Sequence, residues 1–130
     1  MPAKTILLVE DEESLCSLLA DHLAEAGYRV LKSMGGEAAA ANLAREPVNL
    51  MLTDLLMPGK DGIELIQLAR KSHPELPVIA MSGGGEVHAG FYLKMARSLG
   101  ARAILEKPFA TEDMLRLVAV TLDESTSARD

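Results

Sequence analysis

Four short stretches hold the residues whose chemistry could work together: the acids Glu10 and Asp11, the acid Asp54, the hydroxyl of Ser82 and the amine of Lys107. Each follows an apolar run, and each also has a bland explanation. Acids ahead of a helix commonly act as caps, a serine after a strand often opens a turn, and a Lys-Pro pair can simply be solvated. Asp54 by itself is either a surface residue at a loop mouth or a reactive centre. Taken together, however, the set is chemically complementary. Two carboxylates about 4 Å apart repel by roughly 4 kcal/mol at an effective dielectric of 20. Glu10, Asp11 and Asp54 side by side would therefore have to take up a proton, gain a cation or lie beside Lys107. Oxygen ligands alone suit Mg²⁺, which typically joins one or two carboxylates to phosphate oxygens. No His or Cys belongs to the set, which disfavours zinc. The expected partner is then a phosphoryl group. Lys107, the Ser82 hydroxyl and the cation would bind its equatorial oxygens while Asp54 attacks in line, leaving an acyl phosphate.

Bringing these residues together falls to the elements around them. The chain is centred on residues 50–62, LMLTDLLMPGKDG, where an apolar run ends on Thr53 and Asp54 and a loop carrying Pro58, Gly59 and Gly62 follows. A compact apolar run closed by Pro and Gly predicts a fully buried strand of a parallel sheet, here over 48–53. Residues 5–9, 77–81 and 103–105 have the same character, and 28–33 alternates imperfectly. Helical stripes are expected over 14–25, 37–45, 63–71, 89–99 and from Thr111 to Leu122, with Gly27 and Gly100 as C-terminal caps and Thr111 as an N-cap. The order is strand then helix, five times over. Such alternation implies a parallel sheet with right-handed crossovers and helices on both faces. All strand carboxyl ends then share one edge, where open α/β sheets bind ligands.

Composition sets limits on the rest. The 130 residues match one domain, placed at 1–123, with a polar tail at 124–130 that is expected to fray. Hydrophobic residues at 48% and charged residues at 25% fit a globular α/β protein. The net charge of −6 argues against direct nucleic-acid binding, which needs Lys and Arg to neutralise phosphates. The single Cys16 excludes an internal disulfide and is expected to be a small packing residue. No run approaches the roughly 20 apolar residues of a membrane span. The opening Met1-Pro2-Ala3-Lys4 leads straight into a strand without a signal-peptide pattern, so a cytoplasmic location is expected.

With these residues in view, the chain resembles the receiver domain of two-component response regulators. The match runs from about Thr5 to Leu122. Its motifs come in order: Glu10-Asp11, then Asp54 followed by Met57-Pro58-Gly59 and Asp61-Gly62, then Ser82, then Lys107-Pro108-Phe109. The resemblance implies a flavodoxin-like doubly wound sheet in the order 2-1-3-4-5 and a phosphoryl group accepted by Asp54. It implies Mg²⁺ held by the Asp11 and Asp54 side chains and the backbone carbonyl of Leu56, with Glu10 acting mainly through water. Lys107 would pair with the phosphate and Ser82 would move to bond it. The donor would be a histidine kinase or a phosphotransfer protein. Output would pass to a downstream protein or a fused output domain, and a homodimer could form through helix four, strand five and helix five. Nothing read beyond the last helix is expected to read DNA.

Two departures from the family pattern stand out. The position three residues before the lysine, usually aromatic, is Ile104, expected to be buried and unable to present a ring. The loop after Ser82 carries Gly83, Gly84 and Gly85, whose ordering is entropically costly. Switching is therefore expected to be an ordering of residues 83–90, not the rotation of an aromatic. Three activities remain in contention: a phosphorylation-dependent switch with no external substrate, a phosphate-independent interaction module, and an aspartyl-nucleophile hydrolase of the haloacid dehalogenase type. The last usually carries a second Asp two residues after the nucleophile, where this chain has Leu56. His22, His73 and His88 do not cluster and are expected at the surface, and Phe91-Tyr92 could anchor a partner.

Overall fold

The runs TILLV and LMLTD are buried at every position, as only central strands covered on both faces can be. In the computed structural model, which describes residues 3–55, 62–83, 94 and 96–129, they are β1 (Thr5–Val9) and β3 (Leu50–Asp54). They pair with each other, with β2 (Arg29–Ser33) beyond β1 and β4 (Val78–Gly83) beyond β3. β5 (Ala103–Lys107) closes the far edge. The sheet is parallel throughout, in the order β2-β1-β3-β4-β5, the doubly wound flavodoxin-like arrangement. The edge strands β2 and β5 are correspondingly only part-buried.

Alternation along the strands divides the core in two. Leu7, Val9, Met51, Val78 and Ala80 face a layer built from α2 (Gly36–Arg45) and α3 (Gly62–Ser72), which contributes Ala39, Leu43, Ile63, Ile66 and Ala69. Ile6, Leu8, Leu50, Leu52, Ile79 and Met81 face α1 (Glu13–Glu25) and the C-terminal helix (Thr111–Arg129), which contribute Cys16, Leu19, Leu23, Met114, Val118 and Leu122. Cys16 is thus a core residue. Gly27 ends α1 in the left-handed region at φ 102°, with the Gly27 and Tyr28 amides donating to Ala24 and Leu23. Gly100 repeats the motif at φ 94°, its amide donating to Arg97 and that of Ala101 to Ala96. Of the helix expected over 89–99, Lys94 and residues 96–98 are described and helical; Phe91, Tyr92 and His88 lie outside the described residues.

Several boundaries differ from expectation. β3, β4 and β5 run on through Asp54, Gly83 and Lys107, because Asp54 pairs with Met81, Ser82 with Glu106 and Gly83 with Lys107. Register, not polarity, ends a ladder. Gly83 is therefore the last rung of β4 and Gly62 the first residue of α3, not loop residues. Thr111 is the first helical residue, and it is the Ala110 carbonyl that receives the Asp113 and Met114 amides. The last helix continues through Arg129, past the boundary expected at Leu122; nothing in 123–129 is a Pro or Gly that would stop it. Ile104 is half-buried, lying on the edge strand against the α2–α3 layer, instead of fully buried. No helix among the described residues is long and apolar enough to cross a membrane.

Candidate functional site

The carboxyl ends of β1, β3 and β5 bring three side chains into contact. On β1 the ladder carries one residue past Val9, the Glu10 amide donating to the Ser33 carbonyl. Glu10 is 1% exposed. Its Oε2 accepts the Glu12 amide at 2.9 Å, and its Oε1 accepts from Lys107 Nζ at 2.6 Å. Glu12 is the N-cap of α1 and makes no side-chain cap, so Glu10 serves the helix entrance as well as the cluster. Asp54, 7% exposed, accepts from the same amine through Oδ2 at 2.9 Å. Carboxylate oxygens of Glu10, Asp11 and Asp54 lie within 4.8 Å of one another.

Electrostatics follows from this crowding. Burial pushes the Glu10 carboxyl above its ordinary value, and the Asp54 charge pushes the same way, outweighing the hydrogen bonds from Lys107 and Glu12. Burial disfavours charge on Lys107, but its hydrogen bonds to Glu10 and Asp54 and their negative charges leave the amine above its ordinary value. The ammonium is held as a fixed positive charge between two acids. Three carboxyl groups crowd around one ammonium, a concentration of acidic oxygens that suits a divalent cation. The donors are oxygens only, at least one of them on a part-exposed residue, Asp11, which suits a hard ion that keeps some of its waters. These residues fit Mg²⁺.

The other expected residues are placed as follows. Ser82 is buried at the same edge, one rung past Met81, the partner of Asp54; by alternation its side chain follows Ala80 toward the α2–α3 layer. The structure thus joins Ser82 to the site by strand position, and Glu10, Asp54 and Lys107 by direct contact. Ile104 lies three residues before Lys107 on the same strand. Leu56, Pro58, Gly59 and Gly84 lie outside the described residues. One feature was not anticipated. Beside Lys107 a cleft of about 390 Å³ is lined by Leu15, Leu18, Leu19, Pro108 and Phe109. Leu18 is 50% exposed there, and its excess over the stripe that α1 needs for its core was the available signal. The Lys107–Pro108 peptide is cis.

Comparison with known proteins agrees with the fold. The family model described as the response regulator receiver domain matches residues 6–119. The response regulator protein FleR of Pseudomonas aeruginosa is 39% identical over 117 residues, covering 90% of this chain and 24% of FleR. The response regulator receiver protein CpdR of Brucella abortus is 35% identical over 112 residues, covering 86% of this chain and 91% of CpdR. A crystal structure of a CheY-like response regulator receiver domain protein from Methanospirillum hungatei superposes with a TM-score of 0.88 at 27% identity, covering 97% and 98% of the two chains. The chain spans about a quarter of the length of FleR and nearly all of CpdR.

Proposed function

The chain belongs to the response regulator receiver domain family, and on that premise we propose that it is a switch whose Asp54 accepts a phosphoryl group from a phosphohistidine of a kinase or phosphotransfer protein. The observation that carries this reading is the contact of Lys107 Nζ with Asp54 Oδ2 at 2.9 Å inside a cluster of three carboxylates. Asp54 Oδ attacks phosphorus as the bond to the donor's imidazole nitrogen breaks, and the imidazole leaves with the electron pair. The Lys107 ammonium turns a hydrogen bond toward the incoming phosphoryl oxygens. Ser82, one rung away, supplies a hydroxyl to the same oxygens. Asp11 and Asp54 would hold Mg²⁺, with the Leu56 carbonyl as a further ligand and Glu10 acting through water. Bound there, the ion supplies charge neutralisation and orientation for the phosphoryl oxygens.

The apolar cleft beside Lys107 offers the donor protein a surface next to the acceptor. On this reading the protein turns over no external substrate and acts in the cytoplasm. Its phosphorylated form changes binding to a downstream protein, or to an output domain fused in a longer chain. The test is incubation with acetyl phosphate and Mg²⁺, followed by intact mass. A stable gain of one phosphoryl group, lost on chelation of Mg²⁺ before the donor is added, is expected. No gain would point to a passive interaction module, and rapid release of phosphate without a lasting adduct to a hydrolase.

A further inference from the structure

We infer that Thr53 and Gly62 are positioning residues for the acceptor, together holding the Asp54–Leu55 peptide from which the reactive carboxylate projects. This rests on the reading of Asp54 as phosphoacceptor. Thr53 is wholly buried at the end of β3, and its rung partners, Val9 and Ala80, are apolar. By alternation it faces the α2–α3 layer, on the opposite face of β3 from Asp54. A hydroxyl in such surroundings is costly unless it is bonded. It donates to the Asp54 carbonyl at 2.9 Å, so the polar atom in this core layer is spent on the backbone of the next residue.

Gly62 meets the same peptide from the start of α3. Its amide donates to the Leu55 carbonyl at 3.0 Å. A Cβ on Gly62 would lie 3.0 Å from the Asp54 carbonyl carbon, 2.6 Å from Leu55 Cα, and closer still to the Asp54 carbonyl oxygen. The obstructing atoms are all backbone, with no flexible side chain to swing aside. Any larger residue must displace either the first turn of α3 or the Asp54–Leu55 peptide. The Leu55 amide is tied in turn to the Met81 carbonyl at 3.0 Å. The peptide is therefore gripped by a hydroxyl, a close-packed glycine and the neighbouring strand. An in-line attack is sensitive to such placement, since a misplacement of about 1 Å can cost about a hundredfold in rate.

The experiment compares wild type, Thr53→Val, Thr53→Ser and Gly62→Ala for the rate of phosphoryl uptake from acetyl phosphate at saturating Mg²⁺, with urea midpoints measured alongside. Thr53→Val keeps the volume and removes the hydroxyl; uptake is expected to fall about tenfold or more. Thr53→Ser restores the donor and should recover most of the rate, even though it loses a buried methyl group and is the less stable variant by urea. A purely structural role predicts the opposite ranking. Gly62→Ala should also slow uptake. Thr53→Ala, read on the same scale, replaces Thr53→Val if the latter does not fold. Wild-type uptake with an unchanged rate in the variant lacking the hydroxyl, or a serine variant as slow as that one, overturns this inference alone. Wild-type protein that takes up no phosphoryl group overturns the reading of Asp54 and this inference with it.

Discussion

Lys107 on β5 donates to Asp54 on β3 across 2.9 Å, although β4 lies between their strands. Neighbouring strands are about 4.8 Å apart, so the lysine spans roughly two strand spacings along the edge of the sheet. Only a long side chain leaning over the carboxyl edge can do that, and the same amine also donates to Glu10, just past the end of β1 and one strand beyond β3. Three strands are thereby tied at one point by charge.

Removing that tie should cost stability. Lys107→Met leaves Glu10 and Asp54 facing each other without their shared cation, and breaking such a part-buried pair is expected to cost about 3 kcal/mol near neutral pH. Lys107 retains 23% side-chain exposure, so solvent screening should hold the loss toward the lower end. Urea denaturation checks this. Millimolar Mg²⁺ should raise the midpoint of Lys107→Met more than that of wild type, because the variant has one more uncompensated charge to neutralise.

Acid removal should separate metal binding from acceptance. Asp54→Asn removes one carboxylate of the crowded set and should take up no phosphoryl group while folding at least as stably as wild type without Mg²⁺. Asp11→Asn leaves the acceptor in place and should raise the Mg²⁺ concentration needed for uptake. Titration calorimetry with Mg²⁺ should show weaker binding in both variants. Unchanged Mg²⁺ binding in both would remove these acids as ligands.

Stability should decline on the alkaline side. Burial holds the Cys16 thiol and the Tyr28 phenol above their ordinary values, the charge of Asp123 adding to the effect on Tyr28. From roughly pH 8.5 for the thiol and pH 10 for the phenol, the unfolded chain gives up a proton that the folded chain keeps, so stability falls as pH rises. Lys107 acts in the same direction. Its pairing stabilises fully below the ordinary lysine value and is lost as pH climbs through its raised folded value. Urea midpoints followed upward from neutral pH should therefore drop, and Cys16→Ala should flatten the first part of that decline.

How far the sequence anticipated the structure depends on what kind of force sets each feature. Thr5–Val9 and the apolar run Leu50–Leu52 were legible because a strand covered on both faces is apolar along most of its length, and the βα alternation then dictates a parallel sheet with one polar edge. The meeting of Glu10, Asp54 and Lys107 follows from that edge. Strand ends were less legible: Asp54 and Lys107 break the apolar pattern, yet their backbones stay in the ladder. Thr53 and Gly62 carried almost no signal. One reads as an ordinary β-former and the other as a breaker, and their grip on the Asp54–Leu55 peptide depends on distances that only the packing of α3 against β3 sets.

The central claim is that Asp54, and no other carboxylate of the cluster, bears the phosphoryl group. Acyl phosphates are reduced by borohydride to the alcohol, so protein loaded from acetyl phosphate and Mg²⁺, reduced and digested should yield a peptide with homoserine at position 54. Homoserine at position 11, or an unreduced Asp54 peptide from protein that had gained the phosphoryl mass, would contradict the account.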